Sequence, residues 1–222
     1  MSRGGHRYGA VLVLTVAMTT FALAVPDRPF MRAVELAWAG AALGVAMLTS
    51  GAQTDVRRVS ATAVGIALVI VAGAAVAGAP SEVATFTATA VANAATIAVI
   101  VGGLVRLVED RGVVVQAVFG ALAVYLLIGL TFGFVIGAVA TAVPGDYFAQ
   151  RTDGVQSERV YFSFAVMTTS GFGDLTARTP PGRAFSVLEM LVGQLYLVTV
   201  IATIVGNLRS RRAPGHRAGD PR

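Results

Sequence analysis

The sequence predicts an all-α membrane protein: six transmembrane helices, with a short re-entrant helix and an irregular loop between the fifth and sixth. Three observations predict it. Of the 222 residues, 55% are hydrophobic and 13% charged, against about 45–50% and 25% in an average soluble domain. Mean hydropathy is +0.74. Six stretches come near or exceed the roughly 20 apolar residues that cross a bilayer: 8–25, 33–49, 59–79, 83–105, 113–143 and 182–208.

Composition also closes off other classes. Disorder is excluded, because disordered chains are poor in apolar residues. With no cysteine, disulfides, thiolate metal sites and a cysteine nucleophile are excluded. The two histidines, His6 and His216, lie in the terminal tails, so neither suits catalysis or metal binding in a core, and no enzyme is expected. The net charge of +5 comes with 17 basic residues, all arginine. They punctuate the apolar stretches and do not cover one face, which suits anchors at a lipid surface better than contacts to nucleic acid.

The first four stretches are rich in Ala and Gly, with Gly40 and Gly44 at a spacing that suits close helix packing. Arg3 and Arg7 before the first stretch, and Ala22-Leu23-Ala24 near its end, also fit a cleaved leader. No polar stretch follows, which favours an uncleaved first helix. Asn93, midway along the fourth stretch, is expected to tie helices together. That stretch contains no arginine, and Arg106 lies only at its end, so it cannot carry charge through a membrane field. The fifth stretch is longer than a bilayer needs, so it tilts or extends past the lipid. Its Gly129, Gly133 and Gly137 fall four apart on one face, predicting a tight helix–helix seam.

Arginine placement sets the orientation. With the N-terminus inside, the inner side receives Arg3, Arg7, Arg57, Arg58, Arg106, Arg111 and the five arginines from Arg209 onward. The outer side receives Arg28, Arg32, Arg151, Arg159, Arg178 and Arg183. Both termini are therefore expected in the cytoplasm of a cell-membrane protein, and an even number of spans follows. The expected division is an amino-terminal bundle at 1–110, a second unit at 111–210, and a short basic tail at 211–222 that offers no room for a folded sensor domain.

The segment 144–181 is not a simple span. A polar stretch, 145–158, leads to an amphipathic run of about three turns, 159–167, too short to cross a bilayer. Then come Thr168-Thr169-Ser170-Gly171-Phe172-Gly173-Asp174 and a polar return ending in Pro180-Pro181-Gly182-Arg183. Non-helical backbone at membrane depth must line water or be buried in protein. Glycines two apart permit conformations that turn successive carbonyls the same way. Such carbonyls, repeated about an axis, replace the water shell of an ion. The C-terminal end of the short helix carries partial negative charge and favours a cation.

The string Thr169-Ser-Gly-Phe-Gly-Asp174 resembles the Thr-Val-Gly-Tyr-Gly-Asp filter of the tetrameric potassium channels. An aromatic-rich half-helix before it and an apolar helix with a glycine after it extend the resemblance over about 113–208. The resemblance implies a homotetramer in the lipid bilayer, with no soluble partner and no cofactor, that conducts K+ passively. The filter would comprise Thr169, Ser170, Gly171, Phe172 and Gly173, with oxygens of the first four binding K+. Thr168, Asp174, Tyr161, Phe162 and Glu189 would support it. Gly193 would be the inner-helix hinge, and Gln194, Leu197 and Ile201 would face the cavity.

Three departures from the family pattern stand out. Ser170 replaces the usual valine and leaves space for a water or a new hydrogen bond. Phe172 replaces tyrosine and cannot hydrogen-bond to its surroundings, and Phe162 is equally apolar. Tyr161, where relatives carry tryptophan, is expected to reach Asp174. Glu189, one turn before Gly193, is an intramembrane carboxylate that could accept a bond from a half-helix hydroxyl such as Ser163. Alternatives are a weakly selective cation channel, a transporter subunit, or a non-conducting scaffold whose Gly-Phe-Gly is only a turn.

Overall fold

The structure, a computed structural model, describes residues 8–26, 28–49, 58, 62, 65, 66, 69 and 81–210. Most of the expected third span and the whole 211–222 tail lie outside the described residues. Among the described residues six helices run in order: α1 (Tyr8–Ala24), α2 (Pro29–Thr49), α3 (Ser81–Arg111), α4 (Val115–Ala142), α5 (Gln156–Met167) and α6 (Pro180–Ser210). Four contain segments long and apolar enough to cross a membrane, Phe30–Thr49, Glu82–Arg111, Val115–Ala142 and Pro180–Thr203. Helix α1 is apolar but, at 17 residues, slightly short of a standard span.

Local chemistry sets the helix ends. Pro29 opens α2 and Pro180-Pro181 open α6, where a fixed φ and a missing N–H cost nothing. Helix α3 has Glu82 in its first turn and Arg111 in its last, each complementing the helix dipole. It stops at Gly112, whose φ of 70° and N–H bond to Val108 O at 2.8 Å form a left-handed cap. These caps extend α3 beyond the expected 83–105 at both ends.

Helix α4 is the hub, with α1, α3, α5 and α6 all packed against it. Its glycine face is the predicted seam, and the partner is mostly α5. A methyl group at Gly129 would come within 2.8 Å of the Phe164 ring, and one at Gly133 within 2.9 Å of Val160. At Gly137 it would meet Phe86 of α3 at 3.2 Å and Arg159 at 3.3 Å. Among the described residues, nothing lies within 4 Å of a methyl at Gly40 or Gly44. Asn93 is fully buried, and its amide has no hydrogen-bond partner among the described residues.

The amino-terminal helices reach α5 through Phe86. Arg32 of α2 pairs with Glu82 of α3 at 2.7 Å and lies 5.0 Å over the Phe86 ring. Arg159, in the first turn of α5, sits 5.3 Å from the same ring.

Candidate functional site

The loop before α5 folds back on the strand that leaves the Gly-Phe-Gly string. Ala149 N–H donates to Thr176 O at 2.8 Å, and Arg178 N–H to Tyr147 O at 2.9 Å. Beneath these bonds Tyr147, Phe148, Phe162 and Ala177 form a buried cluster, with the Phe148 and Phe162 rings edge to face at 5.1 Å. Phe162 thus lies on the loop side of α5. The ring stacked against Phe172 is Tyr161, at 6.2 Å and 13°. Burial first, and then the hydrogen bond and charge of Asp174, hold the Tyr161 phenol above its ordinary pKa. Tyr161, Phe172 and Asp174 are therefore brought together, and Phe162 stands apart.

The α5 N-terminus is fixed by Glu158, whose carboxylate accepts the Val155 N–H at 2.9 Å, and by Arg159, whose Nε–H donates to Asp153 O at 2.9 Å. At the other end the chain folds under its own helix. The N–H groups of Thr168, Thr169, Ser170 and Gly171 donate to Phe164 O (3.0 Å), Val166 O (2.9 Å), Ala165 O (3.0 Å) and Ala165 O (3.3 Å). These bonds occupy carbonyls that a helix end otherwise leaves unpaired.

Beyond that point left-handed residues alternate with ordinary ones. Thr169 (φ 58°), Gly171 (54°) and Gly173 (81°) are left-handed, and Ser170 and Phe172 are not. Alternating handedness gathers successive N–H groups on one side of a chain and frees carbonyls toward the other. A left-handed threonine is unusual and strained. The residues from Thr168 to Asp174 are all exposed in the single chain, and Phe172 is 71% exposed.

The hydroxyls of the string bond locally. Thr168 Oγ1 donates to Phe164 O at 2.7 Å and meets Ser170 Oγ at 2.8 Å. The space left by Ser170 is thus used for a hydrogen bond. Thr169 Oγ1 donates to Thr168 O at 2.7 Å.

Helix α6 touches the base of this segment. A methyl at Gly193 would lie 2.9 Å from Met167 O and overlap Met167 Cγ. Gln194 Nε2 donates weakly to the same carbonyl at 3.4 Å, so Gln194 is half-buried against the end of α5, while Leu197 and Ile201 are exposed. One turn before Gly193, the Glu189 carboxyl bonds Ser163 of α5, and Ser163 Oγ also donates to Gly129 O of α4 at 2.7 Å.

Sequence reasoning missed two residues that hold this frame. Tyr147 is enclosed in the loop cluster, and burial pushes its phenol up to about 12. Tyr196 clamps the lower halves of α4 and α6, its hydroxyl donating to Ala121 O at 2.7 Å and its ring stacking on Tyr125. Two tyrosines in apolar helices, each needing a hydroxyl partner, were the available signal for that clamp. Among the described residues no cluster of His, Asp or Glu could hold a metal, so cation chemistry here would fall to backbone and hydroxyl oxygens.

No curated protein and no solved structure matches the chain. Residues 120–210, from within α4 to the end of α6, match the family model described as ion channel. With four helices of membrane-crossing length among the described residues, that similarity makes the chain an integral membrane protein whose C-terminal half resembles an ion channel domain.

Proposed function

We propose that the chain is one subunit of a homotetrameric, potassium-selective channel that conducts passively and makes or breaks no covalent bond. One observation carries the reading. The exposed, irregular backbone from Thr168 to Asp174 begins beside Gly193, 13 residues along α6 and hence about 20 Å from its start. Backbone at that depth cannot face lipid. It needs water or further protein, and four copies about an axis supply both. The apolar side chains left exposed on α6, among them Leu188, Leu191 and Leu195, support packing against other copies.

In this reading carbonyls of Thr169, Ser170, Gly171 and Phe172 replace the hydration shell of K+, and Gly173 forms the outer mouth. Asp174 and Tyr161 brace the strand from outside, and Thr168 and Glu189 from behind. Gly193 and Gln194 meet its base, and Leu197 and Ile201 line the cavity below. The unit at 1–110 surrounds the pore unit at 111–210, both termini face the cytoplasm, and the membrane is the cell membrane. Without arginines along 83–105, gating by a conventional charged sensor is not part of the proposal.

The test is the reversal potential of purified protein in a planar bilayer, potassium on one side and sodium on the other. A value near the potassium equilibrium potential is expected. A value near zero with current present would replace this reading by a weakly selective cation pore, a reading favoured by the Ser170–Thr168 bond in place of a packed valine.

A further inference from the structure

Ser163 sits at the crossing of three helices and is fully buried. Its hydroxyl meets two oxygens, the Gly129 carbonyl of α4 at 2.7 Å and Glu189 Oε1 of α6. A serine hydroxyl has one hydrogen, and a carbonyl only accepts. If Glu189 were ionised, one hydrogen would serve two close oxygen pairs and leave the other pair with none between them. If Glu189 is the neutral acid, each contact holds its own hydrogen.

The surroundings favour the same count. Glu189 is 0% exposed in the single chain, so neither bulk water nor another copy reaches it. Its second oxygen, Oε2, is buried without a hydrogen-bond partner among the described residues. Burying an unpaired neutral carbonyl oxygen is far cheaper than burying an unpaired charge. The guanidiniums nearest in sequence on the two helices are engaged elsewhere: Arg159 with Asp153 O and Phe86, and Arg183 with Ala177 O at 3.1 Å. The titratable group that senses Glu189 from the loop is Tyr147, itself an acid.

We infer that Glu189 is a positioning residue that carries its own proton and heads a one-way hydrogen-bond chain, Glu189 to Ser163 to the Gly129 carbonyl, pinning the depth of α5 against α4 and α6. The chain lies one turn above Met167, whose carbonyl begins the exposed segment, so it sets where that segment sits. The inference rests on the channel reading only for that consequence, because the hydrogen count does not involve conduction.

The experiment is infrared spectroscopy of the full chain in phospholipid vesicles at neutral pH, with and without carbon-13 glutamate. A carboxylic-acid carbonyl band that moves with the label and disappears in Glu189→Gln is expected. In Ser163→Ala the band should persist but shift, having lost its acceptor. Glu189→Gln, whose amide can still donate to Ser163, should melt close to the parent protein, and Glu189→Ala well below it. Loss of only ionised carboxylate bands in Glu189→Gln would overturn the inference, as would equal melting of the Gln and Ala variants. The spectrum decides the matter even for a protein that passes no potassium current.

Discussion

Gly193 of α6 approaches Met167 of α5 so closely that a methyl group on it would lie 2.9 Å from the Met167 carbonyl oxygen. The contact fixes the base of the exposed segment against α6, because the same carbonyl accepts from Gln194. Gly193→Ala should therefore force the helices apart and cost about 1–3 kcal/mol, the usual range for overpacking. Gly44→Ala, where nothing among the described residues lies within 4 Å, should gain up to about 1 kcal/mol from lower chain entropy. Melting in detergent checks both. An unchanged Gly193→Ala would mean that the two helices part freely at this level.

Tyr147 illustrates a buried acid without a partner. Its hydroxyl has no hydrogen bond among the described residues, and its phenol is pushed from 10.0 up to about 12. Between those values the unfolded chain loses a proton that the folded chain keeps. Tyr147's contribution is thus complete below pH 10 and declines as pH rises toward 12, by about 2.7 kcal/mol in all. Tyr147→Phe should remove that decline. At pH 7 it should be neutral or stabilising by up to about 1 kcal/mol, since no bond is lost. Urea melts of both proteins at pH 7 and pH 11 measure the difference, and an identical alkaline decline would exclude Tyr147 as its source.

Patterns confined to one segment were legible in the sequence. The fourfold glycine spacing in α4 announced a seam, and the brevity of the apolar run at 159–167 announced a short helix. Glu189 announced its need for a hydroxyl, and α5 offered Ser163 on a facing turn. Most other contacts between distant segments were not legible. Nothing local says that Arg159 lies over Phe86, that Phe148 pairs with both Thr152 and Ala177, or that Tyr196 bonds Ala121. Nor does anything local say that Phe162 packs against the loop ring of Phe148 while its neighbour Tyr161 stacks on Phe172.

Phe86 is the point where the amino-terminal helices hold α5. It is buried and lies under both Arg32 and Arg159, which its ring face stabilises by attraction between cation and quadrupole. Phe86→Leu keeps most of the apolar volume and removes that attraction, so a loss of about 2 kcal/mol is expected, the desolvated end of the range. Arg159→Met in the Phe86→Leu background should cost less than in the parent. A thermal double-mutant cycle gives the coupling, and strict additivity would show that the ring and the guanidinium do not interact.

The bond between Thr168 and Ser170 has a direction. Thr168 spends its single hydroxyl hydrogen on Phe164 O at 2.7 Å, so across the 2.8 Å contact Ser170 is the donor. Valine and threonine have nearly the same shape, so they isolate the hydroxyl at this position. Ser170→Thr keeps the donor and should leave the ratio of potassium to sodium permeability near that of the parent. Ser170→Val removes the donor and puts an apolar surface behind the strand, excluding water that a hydroxyl would hold there. Its potassium preference should rise, read as a reversal potential displaced further toward the potassium equilibrium value. Equal reversal potentials for the two variants would show that the hydroxyl has no part in choosing the ion and that only the volume at position 170 matters.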